Sequence, residues 1–195
     1  MLPALLLTLL LTGPVAQQAR LSDEQIDQVL AYARTGDGIG GVRCYAAGRP
    51  ANRSEFSGGF AVMLTGPAGR IFDAVKAAQA KGLAFTRAQV TPEMAATTLV
   101  VIAYPEAPTE DSSGWRYAPR ATGIKIRAGG PQRIVIAPRT TETLPGATTR
   151  GPGVRAVFAY EDFAKIHLGD FEVVVLAGQA ERVCTIDSAT RASIK

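Results

Sequence analysis

The segment 154–186 contains three strand-like stretches, VRAVFAY at 154–160, FEVVVL at 171–176 and ERVCTI at 181–186. All three are rich in β-branched and aromatic residues, which favour strands. The middle stretch is nearly continuous in apolar residues, so we expect both of its faces to be covered. Gly178 supplies a turn before the third stretch, because glycine adopts positive φ without strain. These strands are therefore predicted to form the centre of the sheet system.

Further strands are expected upstream of this segment, at 42–45, 60–64, 98–104, 122–127 and 133–137. The last two surround GGP at 129–131 and are predicted to form a hairpin. Residues 138–153 are rich in Thr, Pro and Gly, which predicts an exposed loop. Short strands with turn residues between them are typical of a β-sandwich or a small barrel.

Two helices are predicted from their caps and apolar periodicity. Ser22 and Gln25 have the spacing of a capping box, so we expect an N-terminal helix at 23–35. Pro67 suits the first position of a second, inserted helix that ends at Gly82. The sequence thus predicts a β-rich α+β fold, a single β-sandwich-like domain with an N-terminal helix and one inserted helix.

The strand pattern at 154–186 loosely resembles that of immunoglobulin-like domains, over about a third of the chain. This resemblance implies a sandwich architecture. The Cys-Trp-Cys spacing of true members is missing, so the resemblance carries no functional residues.

The N-terminus has the pattern of a signal peptide. Residues 4–11 form an uncharged, largely apolar run, and TGPVAQ follows at 12–17. We expect a signal peptide at 1–16, a β-rich domain at 17–195, and a periplasmic or secreted protein. The alternative interpretation of the apolar run is an N-terminal anchor. No second run reaches spanning length, so we expect no membrane span in the mature chain.

The chain has two cysteines, Cys44 and Cys184, and a single histidine, His167. In an exported protein such a cysteine pair is expected to form a disulfide, which would close a loop of about 140 residues. Two buried free thiols are the alternative. A cysteine nucleophile activated by His167 is the less favoured interpretation, because a lone histidine in a loop is usually a surface residue.

Two glycine-rich segments resemble phosphate-binding loops only in part. GDGIGG at 36–41 follows a predicted helix and precedes a predicted strand, whereas a dinucleotide site requires the opposite order. We interpret this segment as a flexible linker. The turn at 65–70 lacks the Lys-Ser/Thr pair of a P-loop, which favours a tight strand-to-helix connection.

No catalytic residue, metal ligand or cofactor is predicted. One histidine leaves no His/Cys metal set, and the acids at 106–111 do not match a calcium loop. The common hydrolase motifs are also missing from the sequence.

Basic residues are concentrated between 114 and 155, in a chain of formal net charge +4. The candidate binding residues are Trp115, Arg116, Tyr117, Lys125 and Arg127. The two cations are predicted to share one face of a strand, with the aromatic residues close in sequence, which suits an anionic glycan or phosphate. A solvated strand face with Trp115 in the core is the favoured alternative. The basicity is mild, so no nucleic-acid partner is expected.

Two functions from different classes follow from these patterns. The first is an exported cell-envelope protein that acts as a non-enzymatic binding or interaction module, with an anionic glycan or an envelope protein as its partner. The second is a hydrolase with an unrecognised active site. Polar residues converging in one pocket would favour the hydrolase, and a flat basic or apolar face would favour the binding module.

Overall fold

The computed structural model describes residues 20–36, 40–47, 59–105, 110–111, 114–115, 120–128, 134–146, 151–159, 161–162 and 169–191. Two antiparallel sheets pack together around one apolar core, and helices lie at one end. The predicted β-sandwich-like α+β fold is therefore confirmed.

The helices begin and end near the predicted positions. They are α1 Asp23–Thr35, α2 Pro67–Gln79, a 3-10 turn Arg87–Gln89, α3 Pro92–Ala95 and the short α4 Ser188–Arg191. The side chain of Ser22 accepts from the Gln25 backbone, and the Gln25 side chain returns a bond to Ser22, which completes the capping box. Pro67 occupies the first turn of α2. Gly82 follows this helix with a φ of 69°.

The strands form two main sheets. Sheet 1 has the order β1-β2-β3-β9-β8. Its members are β1 Val42–Ala46, β2 Phe60–Thr65, β3 Thr98–Pro105, β8 Thr140–Leu144 and β9 Gly153–Ala159. Sheet 2 has the order β11-β10-β6-β7. Its members are β6 Gly123–Ala128, β7 Val135–Ile136, β10 Phe171–Ala177 and β11 Ala180–Ile186. The short strands β4 Glu110–Asp111 and β5 Gly114–Trp115 pair with each other.

Two expectations about the sheets are wrong. The three C-terminal strands do not together form the centre of the sheet system: β9 pairs with β3 in sheet 1, and β10 pairs with β6 in sheet 2. The strand β11 is an edge strand of sheet 2. The predicted loop at 138–153 contains β8, because its β-branched threonines pair along the second side of β9. The β6–β7 hairpin is confirmed, although β7 is only two residues long.

The core lies between the two sheets and receives alternate side chains from every strand of these sheets except β8. Its largest fully buried members include Phe60, Phe158 and Phe171. A second, separate apolar cluster joins α1 and α2, with Leu30, Ile71 and Val75 among its buried residues. The helices therefore form a layer with a core of their own.

One side of the sandwich is closed by a covalent bond. Cys44 on β1 and Cys184 on β11 form a disulfide, with their Cα atoms 6.2 Å apart. Beside it, the Val183 amide donates to the Ala47 carbonyl at 3.0 Å. The predicted disulfide is confirmed. On the opposite side, β7 and β8 are the edge strands, and residues 137–139 connect them in sequence.

Candidate functional site

The glycine-rich segment after α1 packs against the first turn of α2. The Gly40 amide donates to the Asp73 carboxylate at 2.8 Å, and the Thr65 hydroxyl donates to the Gly40 carbonyl at 3.0 Å. A Cβ at Gly69 would overlap the same carbonyl oxygen. The backbone at Gly40 thus covers the start of α2. The turn between β2 and α2 is the tight strand-to-helix connection that the sequence favours.

The outer face of sheet 2, the face turned away from sheet 1, carries a network of ion pairs. Lys125 Nζ lies 2.5 Å from a Glu181 carboxylate oxygen, and Arg127 lies 2.6 Å from Glu172 and 3.1 Å from Glu181. Val174 lies between the members of this network and is fully buried. The four charged side chains therefore cover the apolar centre of the face.

The network shifts the pKa values of Glu181 and Arg127. The hydrogen bond from Lys125 holds the pKa of the Glu181 carboxyl below its ordinary value, and the bond from Arg127 acts in the same direction. The hydrogen bond to Glu172 raises the pKa of Arg127. Because both cations are already paired, an anionic ligand at Lys125 and Arg127 would compete with the two carboxylates.

The other sequence-derived binding residues cannot be placed beside these cations. Trp115 belongs to β5, of which the backbone alone is described. Arg116 and Tyr117 lie outside the described residues, and so does His167. The structure therefore describes two of the five candidate side chains, Lys125 and Arg127.

A small cleft lies between α1 and the turns that follow α2. Its volume is about 140 Å³, and its lining includes Arg20, Asp23, Arg87 and Thr91. Arg87 closes part of the cleft through ion pairs with Asp23 and Asp27. Sites for drug-sized ligands typically measure about 300–1,000 Å³. The cleft is therefore too small for a ligand of that size.

The described residues contain no cluster of three or more His, Cys, Asp or Glu side chains that could hold a metal ion. Both cysteine sulfurs are committed to the disulfide. Among these same residues, no helix has the length and apolar character needed to cross a membrane.

Arg70 is a partly buried cation that binds backbone rather than an acid. Its guanidinium donates to the carbonyls of Ala96 at 2.5 Å and Thr98 at 2.9 Å. Burial, together with the charge of Arg155, lowers the pKa of Arg70 to about 10. These bonds fasten α2 to the start of β3. We therefore assign Arg70 a structural role.

A partly exposed apolar surface lies on the outer face of sheet 1, the side turned away from sheet 2. Tyr45, Ala61 and Tyr104 are directly paired across β1, β2 and β3, so they form one row across the sheet. Ala61 is exposed, Tyr45 retains 44% of its exposure, and Tyr104 is half-buried. An aromatic residue thus stands on each side of a small exposed residue.

The neighbouring row extends this apolar surface and gives it a charged border. Met63 and Ile102 are paired and half-buried, with Arg43 beyond Met63 and Arg155 beyond Ile102. Arg155 lies 3.0 Å from carboxylate oxygens of both Glu93 and Glu142. The outer face of sheet 1 therefore has an apolar, aromatic centre with charged side chains at its border.

Two glycines explain why the rings of Tyr45 and Tyr104 leave Ala61 exposed to solvent. A Cβ at Gly59 would overlap the ring of Tyr45, and a Cβ at Gly153 would overlap the ring of Tyr104. Each ring therefore lies on bare backbone, and Gly153 is on the side of Tyr104 that faces away from Ala61. The two rings flank Ala61 without covering it.

Sequence reasoning missed this surface because its members are far apart in the chain. Tyr45, Ala61 and Tyr104 become neighbours only through the registers of β1, β2 and β3. The available signal was the apolar residues that alternate with core positions in β2 and β3, such as Met63 and Ile102. An ordinary outward face would carry polar residues at those positions.

No known family model, curated protein or solved structure matches this chain.

Proposed function

We propose that this chain is an exported cell-envelope protein that acts as a non-enzymatic interaction module, and that it binds an envelope protein through the outer face of sheet 1. The observation that carries the proposal is the row of Tyr45, Ala61 and Tyr104, with Met63 and Ile102 beside it. Contiguous exposed apolar surface with a polar border marks interaction sites.

The contrast between the two outer faces supports this choice. On sheet 2 the buried Val174 is covered by two cations and two carboxylates. On sheet 1 the corresponding apolar residues are less covered than Val174, since Ala61 is exposed and Met63 half-buried. Protein interfaces typically combine tyrosine and other apolar groups at the centre with arginine and polar groups around them. The outer face of sheet 1 fits that composition.

Anionic glycan binding at Lys125 and Arg127 receives less support. Both cations are held by Glu172 and Glu181, at 2.5–3.1 Å. The hydrolase alternative has less support, because the cleft lined by Arg20, Asp23, Arg87 and Thr91 measures only about 140 Å³, and Arg87 is already paired with Asp23 and Asp27.

Export is the second part of the proposal. The disulfide between Cys44 and Cys184 supports it, because disulfides persist in oxidising compartments. The apolar run at 4–11 supports it as well. N-terminal sequencing of the protein from a bacterial host should find a mature chain that begins close to residue 17. A cytosolic protein that still begins at Met1 would contradict export.

The interaction is tested by the size of the complexes in detergent extracts of the envelope. The wild-type protein is expected to migrate above its monomer mass. Ala61→Arg places a charge at the centre of the outer face of sheet 1 and should return the protein to the monomer position. Thr185→Arg is the matched control, since Thr185 is an exposed residue on the outer face of sheet 2. If wild-type and Ala61→Arg proteins migrate alike, the proposed surface is wrong.

A further inference from the structure

We propose that β8 accepts an extended segment of a partner protein as an additional antiparallel strand, with a basic residue of that segment opposite Glu142. This inference rests on the proposed interaction function and specifies the chemistry of the partner. It concerns the edge of sheet 1, which adjoins the outer face already described.

The strand β8 ends sheet 1 and is open to solvent. Thr140, Thr141, Glu142 and Thr143 are all exposed, and Leu144 is half-buried. The other edge of sheet 1 is β1, which the disulfide and the Ala47–Val183 bridge join to sheet 2. An open edge presents unpaired N–H and C=O groups that bind another strand. The main-chain chemistry of β8 therefore matches an extended peptide.

Proline, lysine and inward-pointing charges, three common protections against strand addition, are missing within β8. Natural edge strands are often interrupted by proline or carry lysine or inward-pointing charges. Here Pro138 and Pro145 flank the strand, and the sequence between 140 and 144 is TTETL. Glu142 points to the outer side, since it pairs with Arg155 there. The inward-facing residues Thr141 and Thr143 are uncharged and β-branched, which suits pairing.

Glu142 selects the charge of the partner. Its side chain retains 55% exposure, and its carboxylate accepts one bond from Arg155 at 3.0 Å. The same guanidinium also binds Glu93, so Glu142 shares its cation with a second carboxylate. A carboxylate can accept further hydrogen bonds. A lysine or arginine directly opposite Glu142 would supply them.

A second copy of this chain fits the edge less well. When all five residues of two β8 strands pair antiparallel, Glu142 lies opposite Glu142 of the other copy. Like charges directly opposite each other are destabilising. Ile134, exposed by 41% at the adjacent edge of sheet 2, favours a partner strand with apolar inward-facing residues.

The test uses a fluorescent peptide with the sequence Leu-Val-Lys-Val-Thr between Gly-Ser flanks, and a second peptide with Glu in place of Lys. Antiparallel docking puts the Lys opposite Glu142 and each Val opposite a threonine. Fluorescence anisotropy should show the Lys peptide binding the wild-type protein about fivefold or more tightly than the Glu peptide. Hydrogen exchange should slow at residues 140–144. Glu142→Lys should reverse the preference between the peptides.

Variants on the inward face of β8 test whether this strand is the site of peptide binding. Thr141→Lys with Thr143→Lys adds inward-pointing charges and should abolish binding of both peptides, whereas Thr185→Lys should not. Equal binding of the two peptides, or unchanged exchange at 140–144, would overturn the proposal. Dimerisation of the wild-type chain that the double variant abolishes would assign the edge to a second copy and would also overturn it. If Ala61→Arg disrupts the envelope complex while the double variant does not, the proposed function stands and strand addition fails.

Discussion

Cys44 on β1 and Cys184 on β11 join the edge strands of the two sheets across 140 residues of sequence. The backbone bond from Val183 to Ala47 continues the same connection. One side of the sandwich is thereby closed, while β7 and β8 remain as edges on the other side. Because of this asymmetry, the edge of sheet 1 at β8 is more accessible to an added strand than the joined edges at β1 and β11.

Removal of the disulfide should lower stability without changing the fold. Chain-entropy arguments give about 4–5 kcal/mol for a closed loop of this length. We expect a reductant to lower the melting temperature of the wild-type protein, and Cys44→Ser to lower it similarly. The variant should then be insensitive to reductant. Detection of two free thiols by mass spectrometry in protein from the periplasm would refute the pairing.

Gly69→Ala should be destabilising, because its methyl group would overlap the Gly40 carbonyl oxygen. Overpacking of this kind typically costs about 1–3 kcal/mol. Gly123→Ala is the matched control, since a Cβ there would meet Leu176 at an ordinary contact distance of 3.5 Å. Denaturant unfolding of the two variants measures the difference. Equal stability of the two would show that the Gly40 segment moves freely away from α2.

Arg70→Lys should also be destabilising, although the charge is kept. The guanidinium spans the carbonyls of Ala96 and Thr98, which a compact ammonium group cannot reproduce. Loss of charged hydrogen bonds of this kind costs about 1.5–3 kcal/mol. Arg87→Lys is the control, because Arg87 is a surface residue paired with acids, and it should change the denaturation midpoint little. A similar small effect for both variants would contradict the assigned role of Arg70.

The ion pairs on sheet 2 should make stability depend on pH in one direction. The pKa of Glu181 is lowered in the folded state by its bonds to Lys125 and Arg127. Its contribution is therefore present above the unfolded value, near 4.5, and is lost as the pH falls through the folded value. Melting temperatures of wild-type and Glu181→Gln proteins should differ at neutral pH and converge in acid. A difference that persists or grows in acid would contradict the network.

The sequence predicted local elements well where local chemistry determines them. The capping box at Ser22 and the proline at 67 located α1 and α2, and apolar runs located β2, β3 and β10. Which strands pair with each other in the sheets could not be predicted from local patterns. The strand β9 joins β3 and β10 joins β6, although other apolar strands lie closer in sequence. Register depends on long-range packing that no local pattern encodes.

The surroundings of the candidate binding residues were the least predictable part, for the same reason. The predicted cations Lys125 and Arg127 share a face, as alternation requires, but their acidic partners Glu172 and Glu181 come from β10 and β11. The strand β8 was missed because TTETL has no apolar alternation. It is a strand because all five of its residues pair with residues of β9.

The most direct test of the proposed interaction is site-specific photo-crosslinking in living cells from position 61. A photoreactive phenylalanine analogue at Ala61 would stand between Tyr45 and Tyr104, and the same analogue at Thr185 would stand on the outer face of sheet 2. The proposal predicts a discrete protein adduct in the envelope fraction from position 61 and none from position 185. Adducts from position 185 alone, or none from position 61, would contradict the claim that this chain binds its partner through the outer face of sheet 1.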